Sequence, residues 1–341
     1  MNKNHILYQE DLEQILDLKG IERMRGKRFL ITGATGMVGT CLIDALMKYN
    51  HESKAAITVF AVGRSRDRAA SRLGEYYPSE FFHFIEQDVR DPFPSNLMVD
   101  YIIPLASNTH PLSYSQFPVE TIEINVKGAE NALKKAVACG ATVLYPSSVE
   151  IYGNGQDDFT EDYTGHLNLN NARACYPESK RVSEALCQSY VSEYGVDCTI
   201  VRLSRLFGPT MLYTDTKASS QFILKALAGE NIVLKSKGDQ LFSYTYVADA
   251  VQAILFVLLY GETGHAYNVA GYDVQLADFA AECAAIAGKS VVFDLPSDIE
   301  AKGYSVATKA VLSTMRLSCL GWTKSHNFSD AVKRTISILI G

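Results

Sequence analysis

The stretch Tyr176-Pro-Glu-Ser-Lys180 holds a phenol and an ammonium four residues apart. Pro177 suits the first turn of a helix, and Val182, Ala185, Leu186, Ser189 and Tyr190 continue a helical pattern to about Tyr194. Tyr176 and Lys180 then share one helix face. An ammonium beside a phenol favours the phenolate, lowering the tyrosine pKa from its unperturbed value of about 10. A phenolate so placed can take the proton from an alcohol while hydride leaves the carbon. The same spacing also occurs on solvated helices, so the pair gains meaning only beside a hydride acceptor and a second polar anchor.

An acceptor site is written into Thr32-Gly33-Ala34-Thr35-Gly36-Met37-Val38-Gly39. Phe29 to Thr32 is a short apolar, partly β-branched run that reads as a buried strand. From Met37 the apolar residues recur at Val38, Leu42, Ile43 and Leu46, a helical spacing. Strand, glycine turn and helix in that order form the context of a dinucleotide fingerprint, here spaced Gly-x-x-Gly-x-x-Gly. Gly33 makes the tight turn, Gly36 lets backbone approach a pyrophosphate, and Gly39 lets helix pack on strand. The helix start, with Thr35, Met37 and Val38, offers free N–H groups and a positive dipole end.

Which dinucleotide is bound is read at the next strand, Ala56 to Val62. It ends in Gly63-Arg64-Ser65-Arg66, with Asp67 one step on. An acid at this distance suits the adenosine ribose of NAD, whereas an Arg suits a 2′-phosphate. Arg64 therefore leans the expectation toward NADP; the alternative is a pair of solvated arginines at a helix start.

These groups need a scaffold, and the remaining pattern supplies one. His83 to Gln87, Tyr101 to Leu105 and Ala141 to Tyr145 read as further strands, the last running into Pro146-Ser147-Ser148, with a helix from about Val119 to Cys139. Strands alternating with helices imply an α/β fold with a doubly wound parallel sheet, the Rossmann arrangement. Ligands lie at the carboxyl ends of such strands. A short amphipathic helix, Asp11 to Leu18, precedes the core and could pack on the main domain or on a second subunit. Beyond Leu203 the pattern is less regular, with short strands at Ile232 to Leu234, Ser243 to Val247 and Ala266 to Val269. Helices follow at about Phe222 to Gly229, Ala248 to Tyr260, Asp278 to Ala287 and Phe328 to Ile340.

Composition bounds the partners. The 341 residues are long for one core, and 47% hydrophobic with 21% charged residues describes an ordinary globule. The net charge of −6 gives no basic footprint for nucleic acid, so phosphates must be met by local donors. The longest apolar run, Ala250 to Tyr260, is too short to span a bilayer. Seven cysteines without a Cys-x-x-Cys pair suit reduced thiols and a cytoplasmic location. No His or Cys spacing suggests a metal, and His110-Pro111 reads as loop structure.

From roughly Lys27 to Lys289 the chain resembles the extended short-chain dehydrogenase/reductase family, in its nucleotide-sugar epimerase, dehydratase and decarboxylase branch. The resemblance rests on the glycine stretch, Asp88-Val89, Asn125-Val-Lys-Gly128, Ser147 to Gly153, Tyr176 to Lys180, Phe207-Gly-Pro209 and Tyr246-Val-Ala-Asp249. It implies an NAD(P)-binding Rossmann domain (27–205, with 243–269 returning to it), which the N-terminal helical extension (1–26) precedes. A smaller C-terminal α/β lobe (206–242 and 270–341) would clasp a nucleotide-diphosphate sugar. A homodimer is the expected assembly. The resemblance makes Tyr176 the base, has Ser148 bond the sugar C4 oxygen, and has Lys180 hold the nicotinamide ribose. Asp88 and Val89 would face the adenine, with Ala106 and Asn125 along the cofactor.

The same resemblance implies a shared first step, oxidation of C4 to a ketone, after which the branches diverge. Glu150 is the branch marker. Dehydratases of the dTDP-glucose type carry Asp-Glu before the Tyr-Gly, and this chain has Val149-Glu150, so the acid for a departing C6 hydroxyl is missing. UDP-glucuronate decarboxylases have a Glu here and are similar over Arg173 to Arg181. Two positions depart from the family where the diphosphate or sugar should lie: Phe242 replaces an Arg, and Arg205 replaces an Asn. The expected order is epimerase, then decarboxylase, then 4,6-dehydratase. Glu150 could instead be only a ligand for a sugar hydroxyl. A non-catalytic NAD(P)-binding sensor is the remote alternative, since such proteins typically lose the Tyr or the Lys.

Overall fold

The computed structural model describes residues 1–155, 158–294 and 308–341; residues 156–157 and 295–307, the latter within the expected C-terminal lobe, lie outside the described residues. Helix α1 (Ile6–Leu16) leads into β1 (Arg28–Thr32), α2 (Met37–Ser53), β2 (Thr58–Gly63), α3 (Arg66–Leu73), β3 (Phe82–Glu86) and β4 (Tyr101–Pro104). Helices α4 (Pro111–Gln116) and α5 (Pro118–Cys139) are followed by β5 (Thr142–Ser148), α6 (Cys175–Tyr194) and β6 (Cys198–Leu203). The second half runs β7 (Arg205–Phe207), α7 (Ala218–Leu227), β8 (Ile232–Leu234), β9 (Leu241–Tyr246), α8 (Val247–Tyr260) and β10 (Ala266–Val269). Then come β11 (Tyr272–Gln275), α9 (Leu276–Ile286), β12 (Val291–Phe293), β13 (Lys309–Ala310), α10 (Met315–Cys319) and α11 (Phe328–Ile340).

Seven strands form one parallel sheet in the order β10-β6-β5-β4-β1-β2-β3. Strand β1 is buried on both faces, and its alternation decides which helices each side chain meets. Phe29 and Ile31 pack with residues of α1, α2 and α8, whereas Leu30 packs with residues of α5 and α6. The strand order reverses between β2 and β4 on either side of β1, which opens a crevice at the carboxyl ends there.

Strand β5 runs further than its apolar run predicts. Its pairing with β6 continues in register from Val143↔Cys198 to Ser148↔Leu203, while β4 reaches only Ile102↔Val143. Pro146, which has no N–H to donate, therefore lies where one edge of β5 is free. This extension carries Ser147 and Ser148 into the crevice.

A second sheet has the order β11-β9-β13 with β7 on β9, and β8 pairs with β12. This corrects the expected return at residue 243. Ser243 to Tyr246 belong to β9 in the second sheet, paired with β11 and β7, and the chain rejoins the large sheet only with α8 and β10. Arg205 likewise already lies in β7, opposite Tyr244. Edge-to-face rings of Phe207, Phe279 and Phe328 weld this sheet to α9 and α11.

Helix α1 starts earlier than its periodicity predicts because the His5 ring caps it, accepting from the Leu7 N–H at 3.3 Å. It packs on its own chain, against α2, α8 and α11. Tyr8 donates to Asp44 at 2.6 Å, and Arg334 Nε donates to Asp11 at 2.8 Å. His326 sits between Asp11 (3.4 Å) and Asp249 (3.1 Å). Among the described residues no helix is long and apolar enough to cross a membrane.

Candidate active site

The glycine turn has the geometry its sequence calls for. Gly33 has φ +63°, and a Cβ there would lie 2.8 Å from the Ala106 nitrogen after β4. A Cβ on Gly39 would lie 2.5 Å from the Gly33 carbonyl oxygen, so helix and strand approach as closely as backbone allows. Gly36 is the N-cap of α2, and no side chain caps it. Thr35 and the first residues of α2, Met37 and Val38, thus frame a helix start whose leading N–H groups are open to an anion. The Thr32 hydroxyl accepts from the Ala106 N–H at 3.0 Å and ties this turn to the end of β4.

Residues expected along the cofactor are firmly held. Asp88 takes two side-chain hydrogen bonds from Arg90, Nε at 3.0 Å and Nη2 at 2.8 Å, which hold its carboxyl below the usual range. Val89 is buried against Gly128. Asn125 on α5 donates to Ser179 Oγ at 2.8 Å and accepts from Ser107 Oγ at 2.7 Å, so it locks the β4 loop to the helix carrying Tyr176. Arg64 pairs with Glu120 at 2.7 Å, both in contact with solvent, and Arg66 lies 3.5 Å from Glu86. Exposed pairs of this kind are worth at most about 1 kcal/mol, so either arginine can be drawn away by a better anion.

At the end of β5, Ser148 accepts from the Glu150 N–H at 3.3 Å and stands near enough to the Tyr176 phenol to pull its pKa down. Tyr176 and Lys180 are buried on the same face of α6. The expected effect of the lysine on the tyrosine is corrected here. Lys180 Nζ donates to the Pro146 carbonyl at 2.8 Å and lies over the Tyr145 ring, 4.9 Å from its centroid. Burial pushes the Lys180 pKa down to about 8. Tyr176 is raised above its ordinary value, first by burial and then by the Glu150 charge, while Ser148 pulls the other way.

Three residues to which the sequence assigned no role join the site. Tyr114 of α4 stacks on Tyr176, with ring centroids 5.5 Å apart. Arg173 lies 3.4 Å from Glu150 and caps the outer face of Tyr114 at 5.2 Å. The Ser147 hydroxyl is buried with no partner among the described residues. Arg173 was within reach of the sequence, standing three residues before Tyr176; Tyr114 was not, since only the fold brings α4 to α6. Arg205 stacks on Phe242 at 3.7 Å, so the two departures from the family pattern are in contact.

Residues 29–270 match the model of the NAD dependent epimerase/dehydratase family. The chain is 36% identical over 233 residues to UDP-glucuronic acid decarboxylase 1 of Xenopus tropicalis, covering 68% of this chain and 53% of that protein. It is 34% identical over 238 residues to UDP-glucuronic acid decarboxylase 6 of Arabidopsis thaliana, covering 70% of this chain and 67% of that protein. The chain thus spans about half the length of the first of these relatives. Among solved structures, UDP-glucuronic acid 4-epimerase from Bacillus cereus, in complex with UDP-glucuronic acid and NAD, superposes with a TM-score of 0.78 at 19% identity. That match covers 92% of this chain and 98% of the epimerase. The dTDP-glucose 4,6-dehydratase DesIV from Streptomyces venezuelae, with NAD bound, gives 0.76 at 23% identity, covering 91% and 96%. At these identities the likeness is one of fold.

Proposed function

Because the chain belongs to the NAD-dependent epimerase/dehydratase family, we propose that it oxidises C4 of a nucleotide-diphosphate sugar to a 4-keto intermediate and restores C4 as the epimer. The observation that carries this reading is the closeness of the Ser148 hydroxyl, at the end of β5, to the buried Tyr176 phenol of α6, whose pKa it pulls down. A hydroxyl and a phenol meeting there can hold one alcohol oxygen between them and move its proton.

The residues present fit a dinucleotide: the positive φ at Gly33, the close approach at Gly39 and the uncapped start of α2 leave backbone N–H groups for a pyrophosphate. Asp88 and Val89 would flank the adenine, Lys180 would hold the ribose beside the nicotinamide, and Arg64 would meet the 2′-phosphate of NADP. A bound NAD(P) would supply the hydride acceptor and donor for C4. Ser148 orients the C4 hydroxyl, and Tyr176 accepts its proton and returns it to the same oxygen. The stack of Tyr114 on Tyr176 fixes the phenol plane and keeps water from its outer face. The same reading takes the chain as a homodimer, supported by the apolar Val119 and Ile122 of α5 and Val182 of α6, all exposed.

Decarboxylation is the second reading, favoured by the Glu150–Arg173 pair beside Tyr176. In a uronate, the C4 ketone makes the C6 carboxylate a β-keto acid; CO2 leaves and a proton must reach C5. Glu150 would make that transfer. Dehydration ranks third because buried Val149 stands where an acid is needed. A sensor without catalysis ranks last, since the buried Tyr176–Lys180 pair would then have no task. Mass spectrometry of products from UDP-, dTDP-, GDP- and CDP-sugars tests the assignment. An isomer of unchanged mass supports epimerisation, loss of CO2 moves the assignment to decarboxylation, and loss of water moves it to dehydration.

A further inference from the structure

Two guanidinium groups and one carboxylate lie around Tyr114, which stacks on Tyr176. Arg173 is paired with Glu150 at 3.4 Å, and both act electrostatically on Arg205, as do Tyr114 and Tyr244. The cluster holds one more cation than anion. Arg205 is also the least compensated of the three charges. Its Nη1 is sealed from solvent with no hydrogen-bond partner among the described residues, and its flat group lies on the Phe242 ring at 3.7 Å. A buried donor on a charged group is costly unless an acceptor meets it. The ring fixes the plane of the guanidinium without giving it an acceptor, so the fork is held ready for an anionic oxygen pair.

Place decides which anion. Glu150 and Tyr114 neighbour Tyr176, the proposed base at the C4 hydroxyl, and Arg173 and Arg205 neighbour Tyr114, so the surplus charge lies toward the sugar end of the proposed site. We propose that Arg205 is a specificity-determining residue that receives a carboxylate carried by the sugar, so that the substrate is a nucleotide-linked uronate. The proposal rests on the reading of the chain as a C4-oxidising nucleotide-sugar enzyme. The strand positions add a structural detail. Arg205 of β7 and Phe242 of β9 lie on paired strands, so the second sheet itself brings the guanidinium and the ring together.

The test is calorimetric binding to the NAD(P)-loaded protein. The ligands are the nucleoside diphosphate alone, its diphosphoglucose and its diphosphoglucuronate, each in uridine and thymidine form. The wild type should prefer the glucuronate. Arg205→Met, which keeps a side chain on Phe242, should weaken the glucuronate by about 10- to 100-fold, the loss carried by a hydrogen bond to a charged group. The other two ligands should stay within about twofold. Adding Phe242→Arg to Arg205→Met should restore part of the loss. Arg205→Lys, which keeps the charge but not the fork, should fall between and serves if the methionine variant does not fold. Equal losses for all three ligands would put the guanidinium on the diphosphate and overturn the proposal, as would no loss or a wild type without preference. Wild type that oxidises a neutral hexose but ignores Arg205→Met overturns this inference alone. Wild type that binds none of the ligands overturns the underlying reading with it.

Discussion

Lys180 gives its ammonium to the Pro146 carbonyl at 2.8 Å, tying the helix that carries Tyr176 to the strand that carries Ser148. The acceptor lies on the part of β5 that continues past its pairing with β4. Lys180 thus positions the site before it plays any part in charge.

The two residues should separate cleanly on mutation. Tyr176→Phe should abolish turnover, by about 10²–10⁴-fold for the loss of a general base, while cofactor still binds. Lys180→Met should lower turnover and also weaken cofactor, because it loses the Pro146 tie and, with it, the proposed ribose contact. Turnover within threefold of wild type in Tyr176→Phe would rule out the phenol as base.

Glu150 raises the Tyr176 pKa, second only to burial. The base works deprotonated, so a lower pKa makes it active at lower pH. Glu150→Gln should shift the acid limb of the kcat/KM profile downward, by on the order of one pH unit. A limb that stays in place or moves up would contradict the placement of Glu150 beside the phenol. Deuterium at C5 of product formed in D2O, lost in the same variant, would add a proton-transfer role.

Much of this arrangement could be read from residues alone. The strands of the large sheet announce themselves as apolar runs, and glycines at fixed offsets allow only a tight turn and a close helix. Tyr176 and Lys180 share a face because helical periodicity puts them there. What could not be read is whatever long-range packing decides. Lys180 finds Pro146 across 34 residues, so its charge goes to a carbonyl and not to the phenol. Tyr114 reaches Tyr176 only through the packing of α4, and the start of α1 depends on a histidine cap. The strand at 243–246 left the large sheet because its pairing partners, β7 and β11, lie outside that sheet.

Arg64→Ala should weaken NADP by about 1.5–3 kcal/mol and leave NAD nearly unchanged, since only the 2′-phosphate exceeds what Glu120 offers. Titration of both cofactors checks this. Equal losses for both, or none, would return Arg64 to the surface.

The N-terminal helix makes stability depend on pH. Burial opposes a charge on His326, but its hydrogen bonds to Asp11 and Asp249 outweigh burial and push its pKa up to about 9 from 6.5. The folded state therefore holds a proton that the unfolded chain releases above 6.5. The added stability is full below that pH and is lost as pH rises through 9. Lys180 works in the opposite sense but only above about 8, so pH 6.5 to 8 isolates the histidine. Denaturant titration across that window should show a loss on the order of 2 kcal/mol. His326→Gln should flatten it; an unchanged slope would contradict the charged clamp.

The most direct test of C4 oxidation is single-turnover stopped-flow with NAD(P) and a sugar nucleotide carrying deuterium at C4. The account predicts a transient rise of reduced-nicotinamide absorbance that precedes product, is slowed severalfold by the deuterium, and is absent in Tyr176→Phe. Product formed with flat absorbance and no isotope effect would contradict it.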